Sequence, residues 1–292
     1  MDREKLRKAK RIVVKVGASV LTKNAGNRHA HGFAARRACS LRLDKTWIKN
    51  FAEQVAALFK EGREVVIVSS GAIAAGMGLL GIKKRPKGLP EQQACAALGQ
   101  GYLMKMYDEF FRRKGFHAAQ ILLTWEDIRE KRRYINALNT LNTLLDKKAV
   151  PVINENDTVS VDEIRFGDND KLSALVASLI SADVLVMLTD VDGLFIDDRK
   201  TIASVVRDIN ADIEKLASGT DKECSAGGMK TKLDAAKIAT RSGIDCVIAN
   251  GRKKDALLKI LGGDPAGTVF QGRKNKITGR DFYDNAINQV IL

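Results

Sequence analysis

The chain has 292 residues, 45% of them hydrophobic and 29% charged, with 24 Gly but only 4 Pro. Those proportions exclude a disordered, fibrous or collagen-like chain, and the length suits one large domain or two. The 49 Lys+Arg against 35 Asp+Glu give a formal charge of +14, which invites a polyanion partner until the charge is located.

Residues 1–50 hold 14 of the basic and 3 of the acidic side chains, and the other 242 residues are close to neutral. The excess sits at Arg3, Lys5, Arg7, Lys8, Lys10 and Arg11 and again around Arg28, Arg36, Arg37 and Arg42. A solvated strand or loop accounts for it better than a nucleic-acid surface does. Cys39, Cys95, Cys224 and Cys246 form no CxxC pair, which argues against a zinc site or a disulfide framework. No apolar run approaches the roughly 20 residues that span a bilayer, and the basic N-terminus leads into no signal core. The expectation is a soluble cytoplasmic protein without a membrane segment.

In chain order, short β-branched runs alternate with longer helical patterns. The strands are expected at Arg11–Val16, Glu64–Ser69, Ala118–Leu123, Val150–Ile153, Val184–Leu188 and Cys246–Ala249. Their continuous apolar character suits strands covered on both faces. Helices are expected at Thr46–Lys60, Pro90–Lys114, Arg133–Lys147, Lys171–Ser181, Met229–Ser242 and Lys254–Leu261, with Gly62, Gly115 and Gly243 as helix stops. The pattern predicts an α/β fold, an αβα sandwich with a mostly parallel open sheet, in one domain.

In such sheets ligands bind beyond the carboxyl ends of the strands, and four segments there carry chemistry. Lys15, inside an apolar strand and directly before Gly17-Ala18-Ser19, is either an edge-strand lysine in solvent or an ammonium emerging at a site. Gly17 lets backbone amides approach phosphate oxygens. The run Ser69-Ser70-Gly71-Ala72 leads from a strand into small residues and a helix, so it offers free N–H groups to an anion or simply allows tight packing. In Phe166-Gly167-Asp168-Asn169-Asp170, one residue could cap a helix, yet two Asp flanking an Asn exceed what capping requires. Ser225-Ala226-Gly227-Gly228-Met229-Lys230-Thr231-Lys232 again places glycines before a helix, with Lys232 one turn inside. Two lysines, Gly-rich amides and orienting carboxylates are what phosphoryl transfer asks of a protein, since it needs positioning and charge neutralisation rather than covalent chemistry. His29, His31 and His117 take no part.

Taken together, VVKVGAS (13–19), VSSGAIAAG (68–76), INENDTV (153–159), FGDNDKLSALVA (166–177), LTDVDGLF (188–195) and AGGMKTK (226–232) resemble the amino acid kinase family. The pairing of INEND with FGDND narrows the resemblance to members that phosphorylate the side-chain carboxylate of L-glutamate at the start of proline synthesis. The resemblance implies transfer of the γ-phosphoryl of ATP, with Mg²⁺ carried by the nucleotide and no protein metal ligands. It makes Lys15 and Lys232 the groups that neutralise the phosphoryl, with Asp170 holding both. It gives Ser70, Gly71, Asp157, Asp168 and Asn169 to glutamate. Lys15, Gly17, Thr189, Asp190, Ala226, Gly227, Gly228, Met229, Lys230, Thr231 and Lys232 go to the nucleotide. It also implies feedback inhibition by proline and a homodimer or homotetramer.

The chain departs from the family pattern at three places. Ala18 stands where the family usually has a hydroxyl. A basic insert of roughly a dozen extra residues occupies about 24–42. The kinase unit is expected over 1–270, and residues 271–292 form a tail too short for the C-terminal PUA domain that many members carry. Three other readings stay open: another acceptor on the same fold, an impaired regulatory homologue, and a nucleic-acid-binding protein using the basic N-terminus.

Overall fold

The structure is a computed structural model, and it describes residues 3–25, 40–160, 169–197, 201–218 and 228–273. Eight strands form one sheet: β1 (Arg11–Val16), β4 (Glu64–Ser69), β5 (Ala118–Leu123), β6 (Val150–Glu155), β7 (Val184–Thr189), β8 (Val205–Val206), β9 (Asp245–Asn250) and β10 (Thr268–Phe270). Their order is β5-β6-β4-β1-β7-β9-β10-β8. The six strands from β5 to β9 are mutually parallel, and β10 runs antiparallel to β9. The expected strands are all present, within two residues at their ends.

Alternation along each strand sends successive side chains to opposite faces. Val13, Val66, Val68, Leu185, Met187 and Ile248 pack under helices Lys131–Asp146, Asn169–Leu179 and Met229–Arg241. Val14, Val16, Ile67, Val186 and Val247 pack under helices Lys45–Lys60, Leu89–Arg112 and Ala256–Leu261. Both faces are therefore covered, the condition under which parallel sheets form. Helix starts move outward from the expected positions where a side chain caps them. Asp44 accepts from the Thr46 and Trp47 amides, and Glu130 from those of Arg132 and Arg133, replacing partners that a helix terminus lacks.

A two-stranded antiparallel ribbon, β2 (Thr22–Ala25) and β3 (Ser40–Leu43), leaves the sheet after β1. Its strands are the two ends of the expected insert, and residues 26–39 between them lie outside the described residues, as do 274–292 of the expected tail. No helix among the described residues is long and apolar enough to cross a membrane.

Candidate active site

β1 lies in the middle of the sheet, with Lys15 opposite Val68 of β4 and Met187 of β7. That placement excludes the edge-strand reading of Lys15. The side chain shares the face of Val13 and is 6% exposed. An ammonium so buried needs a counter-charge, and helix Asn169–Leu179 supplies one from its first turn. Asp170 Oδ1 lies 2.6 Å from Lys15 Nζ. The second lysine reaches the same carboxylate from helix Met229–Arg241: Lys232 Nζ is 3.3 Å from Asp170 Oδ2, and Thr231 Oγ1 is 2.8 Å from that oxygen. Two helix N-termini thus meet over the carboxyl end of β1.

Burial alone would push the Asp170 carboxyl up. Lys15, then Lys232, then hydrogen bonds from Lys15 and Thr231 outweigh it and hold the group at about 2. Asp170 is therefore ionised at neutral pH. Lys232 stands below the ordinary lysine range, because burial, reinforced by the neighbouring Lys15, outweighs the attraction of Asp170. One carboxylate between two ammonium groups leaves the cluster one positive charge in excess at the carboxyl edge of the sheet.

The turn after β1 does not leave all its amides open. The Gly17 N–H donates to Leu188 O at 3.1 Å, so its own amide is engaged within the sheet. Gly17 instead caps the turn Ala18–Leu21, whose opening N–H groups, those of Ala18 and Ser19, lack intrahelical partners by geometry. Gly71, with φ of 103°, caps helix Ala72–Leu80 in the left-handed region that only glycine adopts without cost. That helix is held close to Leu89–Arg112, because a Cβ on Gly99 would lie 1.8 Å from the Ala72 carbonyl oxygen.

A second polar group adjoins the charged one. Asn169, next to Asp170 in sequence and 1% exposed, donates from Nδ2 to Ser70 Oγ at 3.0 Å and to Asn154 Oδ1 at 2.9 Å. Asn154, at the end of β6, donates in turn to Gln100 Oε1 at 2.9 Å. Asp157 is buried in the turn after β6. Thr189 ends β7 with its hydroxyl 3.1 Å from Asp190 Oδ1. Gly228 caps helix Met229–Arg241, on which Met229 is buried and Lys230 is exposed. Asp168, Ala226 and Gly227 lie outside the described residues.

The sequence reading missed three contributors. Gln100 sits on the buried stripe of its helix with Ala96, Gly99 and Leu103, and a polar residue at that spacing was the available signal. Tyr107, fully buried, holds its hydroxyl 3.0 Å from Ser69 Oγ. Arg252, after β9, caps the turn behind Gly17 by donating to Ser19 O and, at 2.9 Å, to Thr22 O. Among the described residues no group of three or more His, Cys, Asp or Glu is placed to hold a metal ion.

The profile of the amino acid kinase family matches residues 10–250. The chain is 50% identical to the glutamate 5-kinase of Nitrosospira multiformis, over 94% of this chain and 71% of that protein. It is 45% identical to the glutamate 5-kinase of Caldanaerobacter subterraneus subsp. tengcongensis over the same shares. Among solved structures, carbamate kinase from Giardia lamblia bound to AMP-PNP superposes with a TM-score of 0.58 at 17% identity, covering 91% of this chain and all of that one. That likeness concerns the fold.

Proposed function

The chain belongs to the amino acid kinase family, among the glutamate 5-kinases, and from that premise we propose which residues carry the transfer from ATP to the γ-carboxylate of L-glutamate. A γ-carboxylate oxygen attacks the γ-phosphorus; the new O–P bond forms as the bond to the β-phosphate oxygen breaks, giving γ-glutamyl phosphate and ADP. Charge spreads over the equatorial oxygens of the transferred group, so catalysis rests on placing positive charge there in advance. Lys15 and Lys232 carry that charge. Asp170 fixes both ammonium groups and lowers their mutual repulsion without cancelling the positive excess.

The observation that carries this reading is the single buried carboxylate bridging two lysines from distant parts of the chain. Mg²⁺ enters with ATP. Asp170 is engaged by Lys15, Lys232 and Thr231, so it would not be a ligand of the metal, which would be carried by the nucleotide and would supply further positive charge to its phosphates. Glutamate is bound by Ser70, Gly71, Asp157, Asp168 and Asn169. Residues 226–232 with Thr189 and Asp190 line the nucleotide site. The kinase unit spans 1–270, assembles as a dimer or tetramer, and is inhibited by proline.

The test is a panel of carboxylate and phosphate acceptors with Mg-ATP, with acyl phosphate trapped as its hydroxamate. Glutamate is expected to give the strongest signal. Turnover of another acceptor with none of glutamate would replace this reading, and no turnover of any acceptor would leave the impaired homologue.

A further inference from the structure

The amide side of the site has a direction. Asn169 uses both Nδ2 protons inside the protein, one on Ser70 Oγ and one on Asn154 Oδ1. Because Asn154 Oδ1 is an acceptor there, its Nδ2 must point the other way, and it donates to Gln100 Oε1. A hydroxyl carries one proton and two lone pairs. Ser70 Oγ, already accepting from Asn169, therefore keeps its proton for an acceptor outside the chain of amides. An oxygen of an anionic substrate is such an acceptor.

What holds this direction is the far end. Gln100 is buried, and its Nε2 has no hydrogen-bond partner among the described residues although its Oε1 is used. An unsatisfied buried donor is costly, and a side chain without an acceptor at 100 would only move that cost to the Nδ2 of the buried Asn154. If the end residue offered no acceptor, Asn154 could turn over, Asn169 would lose its acceptor, and Ser70 would be free to point its proton inward.

We propose that Gln100 is a positioning residue for the amino acid substrate, acting through Asn154 and Asn169 to make Ser70 a donor to a substrate carboxylate. The inference rests on the reading of the site as a glutamate kinase and adds to it two residues, Gln100 and Asn154, that touch no reacting atom.

Steady-state kinetics on the full chain test it, with glutamate and ATP varied separately in Gln100→Leu, Asn154→Leu, the double variant and Gln100→Glu. The Leu variant at 100 is expected to raise the glutamate KM about tenfold, the scale of one lost buried hydrogen bond, and to leave the ATP KM within about twofold. In the Asn154→Leu background the same change should add nothing, because its route is already cut. Glu keeps an acceptor oxygen at 100 and removes the unpartnered donor, so it should recover most of the loss. Multiplying effects in the double variant, an equal rise in both KM values, or a Glu variant no better than Leu overturns the proposal. If Gln100→Leu does not fold, Gln100→Glu decides: a glutamate KM within about threefold of wild type supports the relay, and a larger rise overturns it. The wild-type hydroxamate reaction separates the two levels, since its failure with glutamate removes the functional reading itself, whereas its success beside a multiplicative cycle removes only the relay.

Discussion

Asn169 and Asp170 are neighbours in sequence, yet they organise two regions of different character. Around Asp170 the groups are ionic: Lys15 and Lys232 share one carboxylate with help from Thr231. Around Asn169 they are neutral amides and hydroxyls, from Gln100 through Asn154 to Ser70. Both regions are buried at the same sheet edge, and both must satisfy polar groups away from water. The ionic region does so with one positive charge in excess, which on the proposed function would preset the field for a transferring phosphoryl group. The amide region has no charge to offer and instead presets which way its hydrogen bonds run. On the proposed function the first would serve the transition state and the second the placement of the substrate.

The comparison breaks most visibly at Lys232. Lys232→Ala is expected to lower turnover by about 100-fold to 1000-fold, as removing a preorganised transition-state donor does, and to change the ATP KM far less. Initial-rate kinetics over both substrates decide it, and an unchanged turnover number would assign the lysine to structure. Asp157→Asn probes the proposed glutamate side, next to the amide region rather than within it. Removing a carboxylate proposed to hold the substrate ammonium should raise the glutamate KM about tenfold to 100-fold, with the ATP KM steady. If both variants gave the same pattern of effects, the division into two regions would be wrong.

A titration sharpens the difference without any substitution, because the amide chain from Gln100 to Ser70 holds no titratable group, whereas the ionic cluster does. Lys232 sits below the ordinary lysine value of 10.5, so the cation is lost, and turnover should fall, at a lower pH than a free lysine would dictate. Lys232→Arg, which stays charged, should move that alkaline limit upward. On the acid side, the folded Asp170 stands at about 2 against 3.8. Its value is depressed, so its contribution to stability is present above 3.8 and lost as pH falls toward 2. That contribution is on the order of 2 kcal/mol, read from urea unfolding midpoints across that window. A turnover profile whose alkaline limb lies at or above 10.5 would count against a buried catalytic Lys232.

Much of this was legible in the sequence, for reasons that differ by residue. Continuous apolar runs gave the six parallel strands, because a strand covered on both faces has no polar alternation to keep. β6 extends to Glu155, past the expected Ile153, since the buried Asn154 and Glu155 end the apolar run but not the strand. Lys15 was conspicuous because a charge inside such a run demands an explanation. Gln100 was less so: its place on the stripe of Ala96, Gly99 and Leu103 is a signal, but a long helix carries many polar residues and one of them stands out little. Arg252 was invisible for a different reason: it reaches Thr22 across the chain, and only the pairing of β7 with β1 and β9 brings them together. The engaged Gly17 amide likewise depends on Leu188 of a neighbouring strand.

The smallest effect is expected where a third polar contact lies just behind the amide region. Ser69 Oγ donates to Ser70 O at 3.1 Å, so with its one proton used it must accept from the Tyr107 hydroxyl 3.0 Å away. Burial pushes that hydroxyl well above its usual value, and it stays a donor at any working pH. Tyr107→Phe deletes the donor but leaves Ser69 bonded to the Ser70 carbonyl. The expected cost is about 1 kcal/mol, a few degrees in melting temperature, with turnover and both KM values within about twofold. If Ser70 is set from the side, through Asn169, this loss from behind should not reach the substrate. A glutamate KM raised in Tyr107→Phe as far as in Gln100→Leu would mean that the aromatic strap, and not the direction of the amide chain, holds Ser70 in place.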